Sequence, residues 1–456
     1  MSTDILAAQV TGPVLTPGDA GYEEETATWN LAMIGRPAVV VGATSTADVR
    51  AAVRYAAERD LPIAVSATGH GQAMPADGAL LINLRRMNDI TIDADAGTAT
   101  VGAAVEMQAL VDAAAKAGLA PLAGSSPNVG VVGYVLGGGL SSTLGRTHGW
   151  AADHVRAAEI VTADGALRQV TATAEPDLFW AIRGGKGNFG VVTSLTIGLV
   201  PVTRLYGGGI FFDGADARPV LDAFRRLVAG APESLTASVA FLRLPPLPFV
   251  PEPLRGRLSV HVRIAYLGAA EEGERLVADV RAAATPIIDA VAEMPYTAFA
   301  MIHADPVDPI PAYESSVLLR DFPAEAADAL LAAAGPGVDT PVLMIEVRQL
   351  GGALARDPQV PSAVGNRDAA FQLFLGAAGA PGMEEPLREP LFAPLRALAP
   401  WASGRRQVNF LSGYDRDAAD IGPAYEPRAW ERLRAIKAAA DPRNLFRVNH
   451  NIPPRD

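Results

Sequence analysis

His70 lies in the run Val65-Ser66-Ala67-Thr68-Gly69-His70-Gly71-Gln72, directly after the apolar stretch Leu61-Pro-Ile-Ala-Val-Ser-Ala67. That stretch reads as a buried strand, and Gly-His-Gly reads as a tight turn that projects an imidazole from its end. A neutral imidazole is a nucleophile near pH 7, so His70 is either a plain turn residue or the point where a cofactor is covalently held. Downstream, Gly124-Ser-Ser-Pro-Asn-Val-Gly-Val-Val-Gly-Tyr-Val-Leu-Gly-Gly-Gly-Leu140 gathers glycines into an apolar, uncharged stretch. Such glycines let backbone N–H groups approach a diphosphate, and the same composition also suits a core loop.

Gly185-Lys-Gly-Asn-Phe-Gly190 matches G-x-G-x-x-G letter by letter. A dinucleotide fingerprint needs a strand before it and a helix after it. Here the helix-like Glu175-Pro-Asp-Leu-Phe-Trp-Ala-Ile-Arg183 precedes the glycines and the β-branched Val191-Val-Thr-Ser-Leu-Thr-Ile197 follows them. The reversed order predicts a helix-to-strand turn instead of a nicotinamide site.

These groups need elements to hold them. Val39-Val-Val41 reads as a strand, followed by a helix capped near Ser45, with Asp48 in its first turn and Val49, Ala52, Val53 and Ala56 on one face. A strand over 63–67 and a helix from Val105 to Lys116, stopped by Gly118, come next. This alternation predicts an α+β domain of mixed short strands over residues 1–202. After Val200-Pro201 the glycine loops disappear; Leu258 to Ala265 and Val342 to Gln349 read as sheet strands, and Pro219 to Val228 and Glu271 to Ala284 as helices. A second domain over 203–423, with an antiparallel sheet backed by helices, is expected. The run Leu244-Pro-Pro-Leu-Pro-Phe-Val-Pro-Glu-Pro253 inside it reads as a stiff surface loop. A terminal segment, 424–456, carries a helix with Trp430, Leu433 and Ile436, stopped by Asp441-Pro442.

With 456 residues and 49% apolar composition, the chain can bury an extensive core across two domains. Its net charge of −12, with no basic run, argues against nucleic acid. The start Met1-Ser-Thr-Asp-Ile-Leu has no basic n-region, and no apolar stretch reaches the roughly 18 residues a membrane span needs, so a cytoplasmic protein off the membrane is expected. The chain has no cysteine, which excludes disulfides and thiolate metal sites, and its six scattered histidines show no H-x-x-x-H pattern, so no metal is expected. His261 and His303 read as ordinary packed or surface residues.

Taken in order, these pieces resemble the berberine-bridge-enzyme-like flavoproteins of the vanillyl-alcohol-oxidase superfamily, whose FAD-binding fold was first seen in p-cresol methylhydroxylase. The likeness runs from Gly18-Asp-Ala-Gly-Tyr22 and Trp29-Asn30 through Arg36-Pro-Ala-Val-Val-Val41 and Ser45-Thr-Ala-Asp-Val49 to Gly69-His70-Gly71. It continues through Ser126-Pro127, Gly137-Gly138-Gly139 and Leu178-Phe-Trp-Ala-Ile-Arg-Gly-Gly185, and ends with Ile436-Lys437, Asp441-Pro442 and Asn444-Leu-Phe-Arg-Val-Asn449.

The resemblance implies a two-subdomain FAD-binding domain over 1–202, a substrate domain roofing the flavin over 203–423, and a terminal segment that returns to the first domain. It implies FAD bonded through its 8α-methyl to His70. Ser66, Ala67, Thr68, Gly69, Gly71 and Gln72 would surround the flavin and its diphosphate together with Ser126, Val129, Gly130, Val132, Gly133, Tyr134, Gly138, Gly139 and Leu140, with Val192 and Asn449 also in contact. Many relatives add a second bond through a Gly-x-Cys-Pro cysteine; Ser126 stands there, so a single bond through His70 is expected. The Tyr-x-Asn-Tyr motif that carries a catalytic tyrosine in many relatives corresponds to Gln407-Val408-Asn409-Phe410, which keeps Asn409, implied to be catalytic, and neither tyrosine. Tyr134 stands where a Gly-Gly-His histidine is common. Val129 matches a position bordering the flavin edge that oxygen reaches, where a bulkier leucine goes with poor oxygen reactivity.

In such a site the flavin performs the redox chemistry, while the protein positions a substrate C–H bond and deprotonates the neighbouring hydroxyl or amine. With the tyrosines gone, the base must come from the substrate domain. Glu346 and Arg348 are two apart on a strand that runs into Gly351-Gly352, so they share one face. They are either an outward charge pair or, facing inward, a base (Glu346) and a substrate anchor (Arg348). The expectation is an oxidase that takes hydride from a secondary-metabolite or carbohydrate-type alcohol and passes electrons to molecular oxygen, giving hydrogen peroxide, as a monomer or homodimer. A same-fold dehydrogenase using another acceptor, or a flavin-binding protein without turnover, are the alternatives.

Overall fold

The computed structural model describes residues 3–455, and among these the strands form three sheets. The first contains β1 (Val14–Leu15), β2 (Val39–Gly42), β3 (Ile63–Ser66) and β4 (Leu80–Asn83) in the order β1-β2-β4-β3. Strands β2 and β3 run parallel to β4, and β1 is antiparallel to β2 at the edge. The helix Thr46–Arg59 covers this sheet. Ser45 Oγ accepts from Asp48 N–H at 3.3 Å, and Val49, Ala52, Val53 and Ala56 are fully buried in the core beneath. Each such valine contributes roughly 1.5–3 kcal/mol by leaving water. Asp48 also fastens the chain before β1: its carboxylate accepts from Thr11 N–H and Thr44 N–H, each at 2.9 Å.

The second sheet is antiparallel: β5 (Ile90–Asp93), β6 (Thr98–Gly102), β7 (Val155–Val161), β8 (Leu167–Thr171) and β9 (Val191–Gly198), in the order β5-β6-β9-β7-β8. Beside it lies the helix expected from Val105, which begins instead at Met107 and runs to Ala115. Val105 and Glu106 are taken up by the glycine stretch: Met107 N–H donates to Val129 O at 3.0 Å and Val131 N–H to Val105 O at 2.8 Å. The stretch is not wholly loop, for Val131–Leu136 forms a short helix.

The third sheet lies within residues 204–378: β10 (Arg204–Asp213), β11 (Leu235–Arg243), β12 (Leu258–Tyr266), β13 (Ile288–Asp289), β14 (Ala292–Pro295), β15 (Ala312–Leu319), β16 (Met344–Gln349) and β17 (Phe371–Ala378). Its order is β13-β10-β12-β11-β16-β17-β15, with β14 also on β10, and every pair is antiparallel. Directly paired residues share a face. Val239, Val262, Ile264, Val347 and Leu373 form the apolar face, packed against helices Ala217–Ala229, Ala270–Arg281, Ala324–Ala334 and Glu384–Ala397. The opposite face is polar: Arg263 pairs with Ser238, Ser238 with Arg348, and Arg348 with Gln372.

Gly185 to Gly190 is the expected helix-to-strand turn between Pro176–Gly185 and β9. It docks the end of the chain. Asn188 Nδ2 donates to Gly185 O and His450 O, and Asn188 Oδ1 accepts from Ile452 N–H at 2.9 Å. The helix Pro427–Ala440 packs on Pro176–Gly185, and its fully buried Lys437 donates to Asn188 O at 2.6 Å and to Asp441 Oδ2 at 2.7 Å. The terminal segment therefore closes onto the first two sheets. No helix among the described residues is long and apolar enough to cross a membrane.

Candidate active site

The turn after β3 presents His70. Gly69 has φ +81°, and a Cβ there would lie 2.1 Å from Thr28 Oγ1, which donates to Gly69 O at 3.0 Å. Only glycine allows that close approach. His70 stacks on Trp29, whose Nε1 donates to Val307 O at 3.1 Å. His70 Nε2 is buried with no hydrogen-bond partner. Burial lowers the pKa of this ring to about 4, outweighing the opposite effects of Asn128 and Asp305. The imidazole is therefore neutral, the form required of a nucleophile.

The glycine stretch is joined to this turn, since Gly130 N–H donates to Thr68 Oγ1 at 3.2 Å. Gly138 and Gly139 have φ of +116° and +71°, and a Cβ on Gly139 would stand 2.5 Å from Ala151 Cβ. At Gly133, by contrast, a Cβ would meet nothing within 4 Å. Val132 is buried in the same core as Val192 of β9, and Leu140 packs beside Trp150. Along these two loops Ser66, Ala67, Ser126 and Val129 are partly exposed and Gly71 is exposed. Gln72 Nε2 donates to Met74 O at 3.2 Å.

Asn409 lies beside the glycine helix. Its Nδ2 donates to Tyr134 O at 2.8 Å, and its Oδ1 lies 1.7 Å from where a Cβ on Gly137 would be. Its amide thus helps to hold the glycine helix. Tyr134 Oη is buried without a partner, and burial raises its pKa well above the ordinary value. Asn449 Nδ2 donates to Phe446 O at 3.2 Å, leaving its buried Oδ1 unpaired.

The polar face of the third sheet forms the other wall, and a cavity lined by Leu140, Ser142, Ser238, Arg263, His303 and Arg348 separates it from the end of the glycine stretch. Glu346 faces inward and is fully buried. It receives Arg348 Nε at 2.8 Å and Ser238 Oγ at 2.7 Å, and pairs with Arg263 Nη1 at 2.8 Å, with His303 Nε2 at 3.6 Å. Burial alone would raise its pKa, but Arg263, Arg348 and His303 more than offset this and hold the carboxyl well below its usual range. A carboxylate so stabilised is a weaker proton acceptor than a free one. Arg348 lies over the rings of Phe410 and Phe374, at 5.3 and 5.8 Å.

His261 and His303 are packed residues, as expected, but they belong to this network. Arg263 Nε donates to His261 Nδ1 at 3.2 Å, and the His261 ring stacks on Phe211 at 3.8 Å. Arg263, Gln372, Glu314 and Lys186 do not stand out in the sequence. A signal exists for Arg263: His261 and Arg263 alternate with the apolar Val260, Val262 and Ile264, the same period-two pattern that singles out Glu346 and Arg348.

Native interiors leave few buried polar atoms unpaired. Here His70 Nε2, Tyr134 Oη, His303 Nδ1, Asn449 Oδ1 and both amide atoms of Gln372 are unpaired. Together with the glycine cradle they fit a polar, ring-bearing dinucleotide lying between the His70 turn and the sheet. This is the architecture of a flavin-linked oxidoreductase.

Sequence comparison agrees. Residues 37–171 match the FAD binding domain family, and residues 415–453 match the berberine and berberine-like family. (R)-6-hydroxynicotine oxidase of Paenarthrobacter nicotinovorans is 30% identical over 459 residues, covering 98% of this chain and 97% of that protein. An uncharacterized FAD-linked oxidoreductase of Bacillus subtilis, YvdP, is 28% identical over 472 residues, covering 98% and 99%. The crystal structure of 6-hydroxy-D-nicotine oxidase from Arthrobacter nicotinovorans superposes with a TM-score of 0.82 at 28% identity, over 98% of both chains. Xylooligosaccharide oxidase from Myceliophthora thermophila shares the fold, with a TM-score of 0.84 at 21% identity over 100% of both. The chain belongs to the berberine-bridge-enzyme-like FAD-linked oxidoreductases.

Proposed function

We propose that this oxidase carries FAD on a single covalent bond to His70 and oxidises an oxygen-rich alcohol, of secondary-metabolite or carbohydrate type, with molecular oxygen as final acceptor and hydrogen peroxide as product. The observation that carries the reading is the neutral, buried and unpaired Nε2 of His70, held against Trp29. FAD, when bound, accepts the hydride. The chain's residues bind, orient and deprotonate. The loops of His70 and Gly130 hold the cofactor, as Thr68 ties them together. Arg348 uses only its Nε on Glu346, which leaves its terminal nitrogens to donate to substrate oxygens. Glu346 keeps Arg263 and Arg348 fixed in place, and Gln372 offers a donor and an acceptor from the next strand. Holding the substrate against a fixed ring makes proximity a large part of the rate.

The likeness to (R)-6-hydroxynicotine oxidase over nearly the whole chain favours a second reading, a hydroxynicotine-type substrate. Anaerobic mixing of the purified protein with panels of sugars, alcohols and hydroxynicotines tests both: bleaching of the flavin absorbance identifies the substrate class. Admission of air then restores the colour and releases peroxide if oxygen is the acceptor. Bleaching that air does not reverse would point to a dehydrogenase, and no bleaching by any compound would count against turnover.

A further inference from the structure

Two charged side chains face the same space and have no role above. Lys186 sits in the turn Gly185 to Gly190 with φ +51°, a region that residues with a Cβ rarely adopt. Its Cε lies 2.7 Å from where a Cβ on Gly137 would be, and its Nζ 3.8 Å from one on Gly71. The side chain therefore threads between the glycine stretch and the His70 turn, the two loops that fit the cofactor. Glu314 comes from the opposite wall. It stands on β15 opposite Gly376 of β17, on the polar face that also carries Glu346 and Arg348. Protein surrounds both groups, yet each residue keeps some accessible surface.

Among the described residues neither Lys186 Nζ nor the Glu314 carboxylate makes a hydrogen bond. The charges facing Glu314 are Arg348 from β16, Asp305 from the segment before β15, and Lys186; those facing Lys186 are Glu314 and His450. Burial raises Glu314 to about 7, with Asp305 adding to the rise and Arg348 and Lys186 opposing it. Burial lowers Lys186 to about 8, opposed by Glu314. Glu346 and Glu314 thus share one face of one sheet, one locked as a carboxylate and the other able to exchange a proton near neutrality. Carboxyls driven apart in this way divide structural and acid–base work.

We propose that Glu314 is the catalytic base for the substrate hydroxyl and that Lys186, reaching from the cofactor side, is the positioning cation that keeps it ionised. The step rests on the alcohol reading. The O–H proton passes to a Glu314 carboxylate oxygen, the C–H hydrogen leaves with its electron pair to FAD, and a C=O bond forms.

The test uses the flavin-loaded protein. Infrared pH-difference spectra, taken without substrate, should show a carboxyl group titrating near pH 7 that Glu314→Gln removes. Lys186→Met should move that titration to higher pH, because losing a nearby positive charge disfavours the carboxylate. In anaerobic stopped flow, reduction of the wild-type flavin should accelerate as pH rises through about 7. Glu314→Gln should slow it by about 10²–10⁴-fold and flatten the profile, and Glu314→Asp should recover part of the rate and the pH dependence. Persistence of the infrared step in Glu314→Gln, or reduction within about tenfold of wild type, overturns the proposal while leaving the oxidase reading intact. Failure of every alcohol to reduce the wild-type flavin overturns that reading instead, and the infrared step still decides which carboxyl holds the proton.

Discussion

The indole of Trp29 stacks on the imidazole of His70, with ring centroids 4.3 Å apart and the planes 20° from parallel. The contact fixes a ring whose Nε2 has no protein partner. His70→Ala is expected to release FAD on acid precipitation, giving a yellow supernatant where wild type gives a yellow pellet. Peptide mass spectrometry of wild type should find flavin only on the peptide containing His70, since Ser126 offers no thiolate; a second flavin-bearing peptide would sink the single bond.

Burial lowers His70 to about 4, so its ring stays neutral through mildly acidic pH. Covalent incorporation of FAD into apo-protein should then be flat between roughly pH 8 and 5.5, whereas an imidazole at its ordinary value of about 6.5 would lose about tenfold over that range. Trp29→Ala, which opens one face of the ring to water, should restore part of that loss. A wild-type rate that falls as steeply as free imidazole predicts would rule out the buried neutral nucleophile.

Glu346→Gln should act chiefly on stability. The change leaves the Arg263 and Arg348 guanidiniums buried without their counter-charge, a loss of about 3–5 kcal/mol. Thermal unfolding should show it as a drop in midpoint. The pH dependence of flavin reduction should survive in whatever folded protein remains, and its disappearance would return Glu346 to the role of base.

Val129 is partly exposed on the loop between the Ser126-Pro127 turn and the glycine helix, and its carbonyl accepts from Met107 N–H. Val129→Leu is expected to slow reoxidation of the reduced flavin by air about tenfold or more, equivalent to about 1.4 kcal/mol of barrier, with reduction by substrate unchanged. Equal slowing of both half-reactions would mark Val129 as a packing residue only.

Lys437 and Asp441 form a fully buried pair that also binds Asn188 O and the N–H groups of Leu445 and Phe446. Lys437→Met strands the Asp441 carboxylate and should cost about 3–5 kcal/mol in denaturant unfolding, while Lys437→Met combined with Asp441→Leu should cost less. A single variant as stable as wild type would show that the terminal segment does not depend on this pair.

Elements defined by local periodicity are legible in the amino-acid order: the Ser45-capped helix, the strand leading to His70, and the reversed order around Gly185 to Gly190 all depend on near neighbours in sequence. The start of the helix at Met107 is not, because Val105 and Glu106 are claimed by backbone bonds to residues 129–131, a long-range competition that periodicity does not record. The contact of Asn409 is hidden for a similar reason. Its motif suggests chemistry, but the carbonyl that occupies it belongs to Tyr134, 275 positions away.

By itself the sequence determined which residues could react: a histidine between glycines, a chain without thiols, a Gln-Val-Asn-Phe run without tyrosine hydroxyls, and a strand carrying Glu346 and Arg348 on one face. Tertiary structure decided what those groups are able to do, because a carboxyl's basicity depends on charges brought from elsewhere in the chain. Glu346 meets Arg263, from a strand on the far side of β11, and becomes a fixed anion. Glu314, on the same face, is pushed up to about 7 by burial, helped by Asp305 and opposed by Arg348 and by Lys186 from the turn after the Pro176–Gly185 helix.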